Sequence, residues 1–143
     1  MTTTTRTSSA LALAGRALLS AMFLSAGFAK LGDVAGTMAY TALGGLPGFL
    51  AIPAIALEIG GGIAVLVGWQ TRWAALALAA FSLVTAYLFH YLPAQSAEGM
   101  AQVMQTLMAW KNVSIAGGFL TLAAFGAGAW SLDARQAGRL AAA

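Results

Sequence analysis

The sequence predicts an all-α membrane protein, a four-transmembrane-helix bundle with both termini cytoplasmic, and three observations predict it. Of 143 residues, 60% are hydrophobic and 8% charged, against roughly 45–50% and about 25% in a soluble domain. Four apolar runs, at about 11–31, 50–69, 73–92 and 110–130, each supply the roughly 20 residues that cross about 30 Å of hydrocarbon. The basic residues sort by side. Arg6, Arg16, Arg72, Arg135 and Arg139 accompany the termini and the 70–72 turn, while Lys30 and Lys111 fall on the other side, and an excess of arginine and lysine marks the cytoplasmic face.

The first run follows Arg6 and carries small residues from Ser25 to Ala29, as a secretory signal would. Arg16 interrupts the apolar stretch, so a retained span is expected. In the first outer loop, Val34 to Leu43 is a candidate short interfacial helix. Gly44, Gly45, Pro47 and Gly48 close it and restart the second run. Gln70, Thr71 and Arg72 make a tight turn into the third run. In the second outer loop Met100, Val103, Met104, Leu107 and Met108 recur at helical spacing with Glu98, Gln102 and Gln105 off that face. That pattern fits either a second interfacial helix or an early start of the fourth span.

In lipid, helices pack through small residues spaced by four. Three such stripes are expected to face the bundle: Ala17, Ala21, Ser25 and Ala29; Ala56, Gly60, Ala64 and Gly68; and Ala75, Ala79, Ser82 and Ala86.

Composition excludes several chemistries. A net charge of +3 with singly scattered basic residues is not a nucleic-acid surface. Without cysteine the chain cannot run thiol chemistry or hold an iron–sulfur cluster, and one histidine gives neither bis-histidine haem ligation nor a Cys/His zinc site. No metal and no intrinsic cofactor are expected.

Ionisable groups inside apolar runs are costly unless paired or hydrated, and so point to function. Glu58 lies near the middle of the second run, about 12 Å from its outer end at 1.5 Å per residue. Helical side chains lean toward their own N-terminus, so Glu58 leans outward and Lys30 leans inward to meet it. Arg16, on the same helix as Lys30, also leans toward the cytoplasm, which takes it away from Glu58; it is the weaker partner and is expected to snorkel to the cytoplasm. His90, Lys111 and Asn112 fall at the same outer level. Arg16, Ser20, Phe23, Gly27 and Lys30 share one face of the first helix, and Lys111, Ser114, Gly118 and Thr121 one face of the fourth. His90 continues the third helix's stripe. These faces converge either on a cavity open to the outer side with Glu58 at its floor, or on a structural polar core. Phe23, Phe89 and Tyr87 are the aromatic candidates for its apolar wall, with the two outer loops as its lid and the Met100 to Met108 face as the adaptable part.

In order along the chain stand Arg16, Gly27-Phe-Ala-Lys30-Leu, Gly45-Leu-Pro-Gly, Glu58-Ile-Gly-Gly and Gly68-Trp-Gln-Thr-Arg72-Trp-Ala-Ala-Leu. Phe89-His90, Lys111-Asn112, Gly117-Gly118 and Ser131-Leu-Asp133 follow. From Arg16 to Asp133 this series resembles the DoxX family of small four-span membrane proteins. The resemblance implies a bacterial inner-membrane protein, in a family associated with quinone-linked sulfur oxidation and with membrane assemblies of oxidative-stress enzymes; it carries over no catalytic mechanism. Arg16, Arg72 and Asp133 are expected as structural polar positions, and Glu58, Lys30, His90, Lys111 and Asn112 as ligand-binding ones.

The preferred expectation is a subunit not catalytic by itself. It would bind a quinone or lipid-like amphiphile in the outer-facing cavity, support a membrane-associated redox protein, and be open to homo-oligomer formation. The rivals are a small dimeric proton-coupled transporter using Glu58, and an assembly or stability factor without a ligand.

Overall fold

A computed structural model describes residues 3–141; the two residues at each end of the single domain expected over 1–143 lie outside the described residues. Among these, seven α-helices and no strand are found: α1 (Thr3–Gly32), α2 (Val34–Leu43), α3 (Ala51–Val67), α4 (Thr71–Ala86), α5 (Leu92–Ser96), α6 (Gly99–Phe125) and α7 (Leu132–Leu140). A 3₁₀ turn, Gly48–Leu50, leads into α3, and a π-helical turn, Tyr87–Tyr91, joins α4 to α5.

Among the described residues, three stretches are long and apolar enough to cross a membrane: Arg6–Gly32, Gly48–Val67 and Thr71–Ser96. The fourth long helix, α6, has 27 residues but includes Lys111 and Asn112 and is less apolar. Its position corrects the expected span. From Gly99 to Lys111 the sequence offers helix formers and no breaker, so the helix propagates through the methionines and begins about 11 residues before 110. Residues 100–108 are therefore the start of α6 and not a second interfacial helix. Gly126 and Gly128, at φ of +83° and +79°, end it before the apolar run stops.

Local chemistry accounts for the remaining boundaries. Asp33 caps α2, its carboxylate accepting from the Gly36 N–H at 2.9 Å. Pro93 has no N–H to give the preceding turn, and the backbone widens there: the Leu92 N–H reaches back five residues to the Tyr87 carbonyl.

Helix α4 packs along α6 and α1 along α3, with α3 and α4 joining the two pairs. Phe23, Val65, Leu78, Ala79 and Phe119 fill the centre, the Phe23 ring meeting Phe119 edge-on at 5.3 Å between centroids. Only the third expected small-residue stripe is buried throughout. Ala21, Ser25 and Ala29 on α1 and Ala56 and Gly60 on α3 are exposed. The close α1–α3 approach is instead made at Gly27, where a Cβ would lie 2.7 Å from Ile59 Cγ1 and 3.2 Å from Glu58 Cβ. A larger residue would part the helices beside Glu58.

At the end of the bundle holding the α3–α4 turn, Arg16 corrects the snorkelling expectation. It is 1% exposed. Nη1 donates to the Val65 and Leu66 carbonyls at 3.4 and 3.1 Å, and Nη2 donates to the Trp130 carbonyl. The Val65 carbonyl also accepts from the Gly68 N–H at 3.2 Å, but the end of α3 leaves carbonyl capacity without an intrahelical donor, and these acceptors outcompete the interface for the guanidinium. Gly68, at φ +72°, leaves room for it, since a Cβ there would overlap both Arg16 and Ser131.

Asp133 completes this end. Its backbone N–H donates to the Gly68 carbonyl at 2.8 Å, and its carboxylate accepts from the Gln70 and Thr71 N–H groups at 2.8 and 2.9 Å, capping α4 from another helix. Arg72, beside it, is exposed. Burial alone raises the Asp133 carboxyl, but the hydrogen bonds from the Thr71 and Gln70 N–H groups, together with the charge of Arg16, hold it below the usual carboxylate range. A depressed value means a contribution to stability that is complete above about pH 4 and lost as pH falls through the folded-state value. Asp133→Asn should therefore lower the melting temperature in detergent at pH 7 and flatten its fall toward pH 3. An unchanged pH profile would remove Asp133 from the account.

Candidate functional site

Toward the opposite end, α1, α2, α3, α4 and α6 surround a cavity of about 500 Å³ whose wall includes Lys30, Glu58, His90, Lys111 and Asn112. All five residues singled out for ligand binding thus line one space. Phe23 and Phe89 line it too.

Glu58 is 3% exposed. Its Oε1 pairs with Lys30 Nζ, and its Oε2 has no hydrogen-bond partner. Gly27 makes this arrangement reachable: α1 lies against α3 one turn before Lys30. A buried carboxylate oxygen left without a donor costs free energy, and this one belongs to a residue on the cavity wall.

His90 stands on the π-helical turn, and its Nδ1 lies 2.9 Å from Gln105 Oε1. With that oxygen accepting, Nδ1 carries the proton and Nε2 is left as an acceptor. Lys111 is exposed, and its Nζ lies 3.3 Å from Met108 Sδ; among the described residues the only ion pair is Lys30–Glu58. Asn112 is buried.

Of the two outer loops expected as a lid, the first lines the cavity and the methionine face of the second does not. Met100 and Met104 are exposed and do not line the cavity, because they lie on the early turns of α6. Helix α2 supplies Thr37, Tyr40 and Thr41 to the wall. The Tyr40 ring stacks on Phe89, with centroids 5.2 Å apart and planes 24° apart. Gly44 lies against the Phe89 ring, where a Cβ would overlap it. The expected face of α6 does not converge on the cavity either: Ser114 and Thr121 are exposed, leaving Lys111 and Asn112 as that helix's contribution. Tyr87 turns outward and stacks on Tyr91 at 5.7 Å.

Sequence reading missed Gln105, which fixes the His90 ring, and the α2 residues. The spacing of Thr37, Tyr40 and Thr41, at three and four residues, was the signal for the latter.

The DoxX family model matches residues 11–91, taking in Arg16, Lys30, Glu58 and His90 and ending before Lys111. The chain is 46% identical over 121 residues to the inner membrane protein YqjF of Escherichia coli, covering 85% of this chain and 88% of that protein. It is 36% identical over 127 residues to the inner membrane protein YphA of the same organism, covering 87% and 89%. No solved structure gives a significant match.

Proposed function

The chain belongs to the DoxX family and is a multi-pass inner-membrane protein, and from that premise we propose that it binds a quinone or lipid-like amphiphile in the cavity beside Glu58, as the membrane subunit of a redox assembly. The observation that carries the reading is the buried Glu58 Oε2, without a partner, in a residue lining a 500 Å³ space. A ligand head that donates a hydrogen bond there and offers an acceptor to Lys111 answers both groups. A quinol or a hydroxyl-bearing lipid head has both functions, and its ring and tail fit against Phe23, Phe89 and Leu57. No group of three or more His, Cys, Asp or Glu that could hold a metal ion is found among the described residues, and on this reading electrons in such an assembly come from the partner or the ligand.

Purification in mild detergent followed by mass spectrometry tests this. The expected result is near-stoichiometric recovery of an amphiphile together with a redox protein, and His90→Ala with Lys111→Met should lower the amphiphile yield without unfolding the bundle. Recovery of bare protein from native membranes would favour an assembly factor without a ligand.

The finer topology belongs to the same proposal: α6 crosses as the fourth span, and the end bearing Arg16, Asp133 and the α1 N-terminus faces the cytoplasm. Four basic residues on that side, Arg6, Arg72, Arg135 and Arg139, are exposed, and positive charge favours that side. Because the chain has no cysteine, an impermeant maleimide on whole cells should label Ser96→Cys and spare Gly138→Cys. The opposite pattern would invert the protein.

A further inference from the structure

The end opposite the main cavity carries a second, differently built space. A trough of about 430 Å³ runs between α3 and α7, lined by Gly60, Ile63, Ala64 and Val67 with Trp69, Leu132 and Gln136. The α3 residues recur at three and four and form one face about 10 Å long at 1.5 Å per residue. A Cβ added at Gly60 would meet nothing within 4 Å, so the trough is empty there. Its wall is apolar except for Gln136, at the α7 end.

Helix α7 is fixed at its start by the three Asp133 hydrogen bonds to the 68–71 turn. It exposes Leu132 and Leu140 beside Arg135 and Arg139. Asp133, the acid of this helix, has its carboxylate engaged by the turn's N–H groups, so the neighbouring arginines face no free carboxylate on α7. Trp69, Trp73 and Trp130 are exposed at the same end, as at a headgroup level. Arg135 and Arg139 do not line the trough, but each stands three residues on from a lining residue, Leu132 and Gln136, and so on the adjoining face of α7, which gives the α7 end of the apolar trough a basic, tryptophan-flanked surround.

We infer that this trough binds an anionic phospholipid, one acyl chain along α3 from Val67 to Gly60 and the phosphate beside Arg135 and Arg139. Apolar shape provides for the chain and charge complementarity for the head; a zwitterionic lipid lacks the net charge that the arginines attract.

Native mass spectrometry of the detergent-purified full chain, titrated with phosphatidylglycerol, phosphatidylcholine or inorganic phosphate, tests the site. Phosphatidylglycerol should be retained over phosphatidylcholine. Arg135→Gln with Arg139→Gln should weaken its retention by roughly fivefold per arginine, and Gly60→Leu, which fills the trough, should abolish it. Helicity and melting without lipid identify a variant that has not folded, and the arginine pair tests the rim independently of Gly60. Equal retention of the two lipids, unchanged retention in the arginine variant, or displacement of phosphatidylglycerol by millimolar phosphate would overturn the inference.

Discussion

Glu58→Gln is expected to destabilise the bundle by roughly 1–3 kcal/mol, and Lys30→Met in the same molecule to return part of that loss. Removing the carboxylate leaves the lysine ammonium facing an amide in a partly apolar space, so most of the cost of the single change is the unmatched charge. Deleting both charges removes that cost. The size is tempered by exposure, since the Lys30 side chain is 35% exposed and Glu58 4%, and water screens what it reaches. Unfolding of the four proteins of the cycle in mixed micelles gives the coupling directly. Strict additivity would sink the pairing and leave Glu58 to be satisfied by protonation or by ligand. The same cycle bears on the cavity: Lys30→Met alone strands a buried carboxylate, so stability should fall in that variant more than in the double one, whereas ligand yield should fall most in the two variants that lack the Glu58 carboxylate.

What was legible in the sequence was set by local pattern. Apolar length located three of the long helices, and the lean of helical side chains toward their own N-termini was enough to pair Lys30 with Glu58 across α1 and α3. The alignment of Ala79, Ser82, Ala86 and His90 placed His90 on the inward face, where it lies on the cavity wall. What was not legible depended on partners from elsewhere in the chain. The start of α6 was left open because Gln102 and Gln105 fit the polar face of an interfacial helix as well as an early start of the span, and helix propensity with no breaker carried the helix through them. The α2 lid depends on Tyr40 meeting Phe89 across the fold, a contact made by the 3₁₀ turn at Gly48–Leu50 and the widening before Pro93. Nor does spacing show which small residues pack. Ala21, Ser25 and Ala29 repeat as regularly as Ala75, Ala79 and Ala86, yet the tight crossing of α1 and α3 runs through Gly27.

Arg16 is where sequence and structure diverge most, and its replacement should give the largest loss of stability, about 3–5 kcal/mol for Arg16→Leu. Its guanidinium joins three carbonyls from two segments, Val65 and Leu66 at the end of α3 and Trp130 before α7. Hydrogen bonds from a charged group contribute roughly 1.5–3 kcal/mol each, and less at Val65, whose carbonyl also accepts from the Gly68 N–H. Their geometry is that of a fork, with Nη1 on one segment and Nη2 on the other. Arg16→Lys keeps the charge but has a single ammonium and no fork, so it should recover little of the loss; full rescue by lysine would show that charge alone is required. Two local readouts separate this role from a general packing defect. Hydrogen exchange should accelerate first at the 65–71 end of α3 and its turn, and at α7, before the Phe23–Phe119 core. The acid limb should also move: the Arg16 charge helps hold the Asp133 carboxyl low, so removing it raises that carboxyl toward its ordinary value. The α4 cap would then be lost at a higher pH than in the unaltered protein, and Arg16→Leu should begin to unfold earlier on acidification.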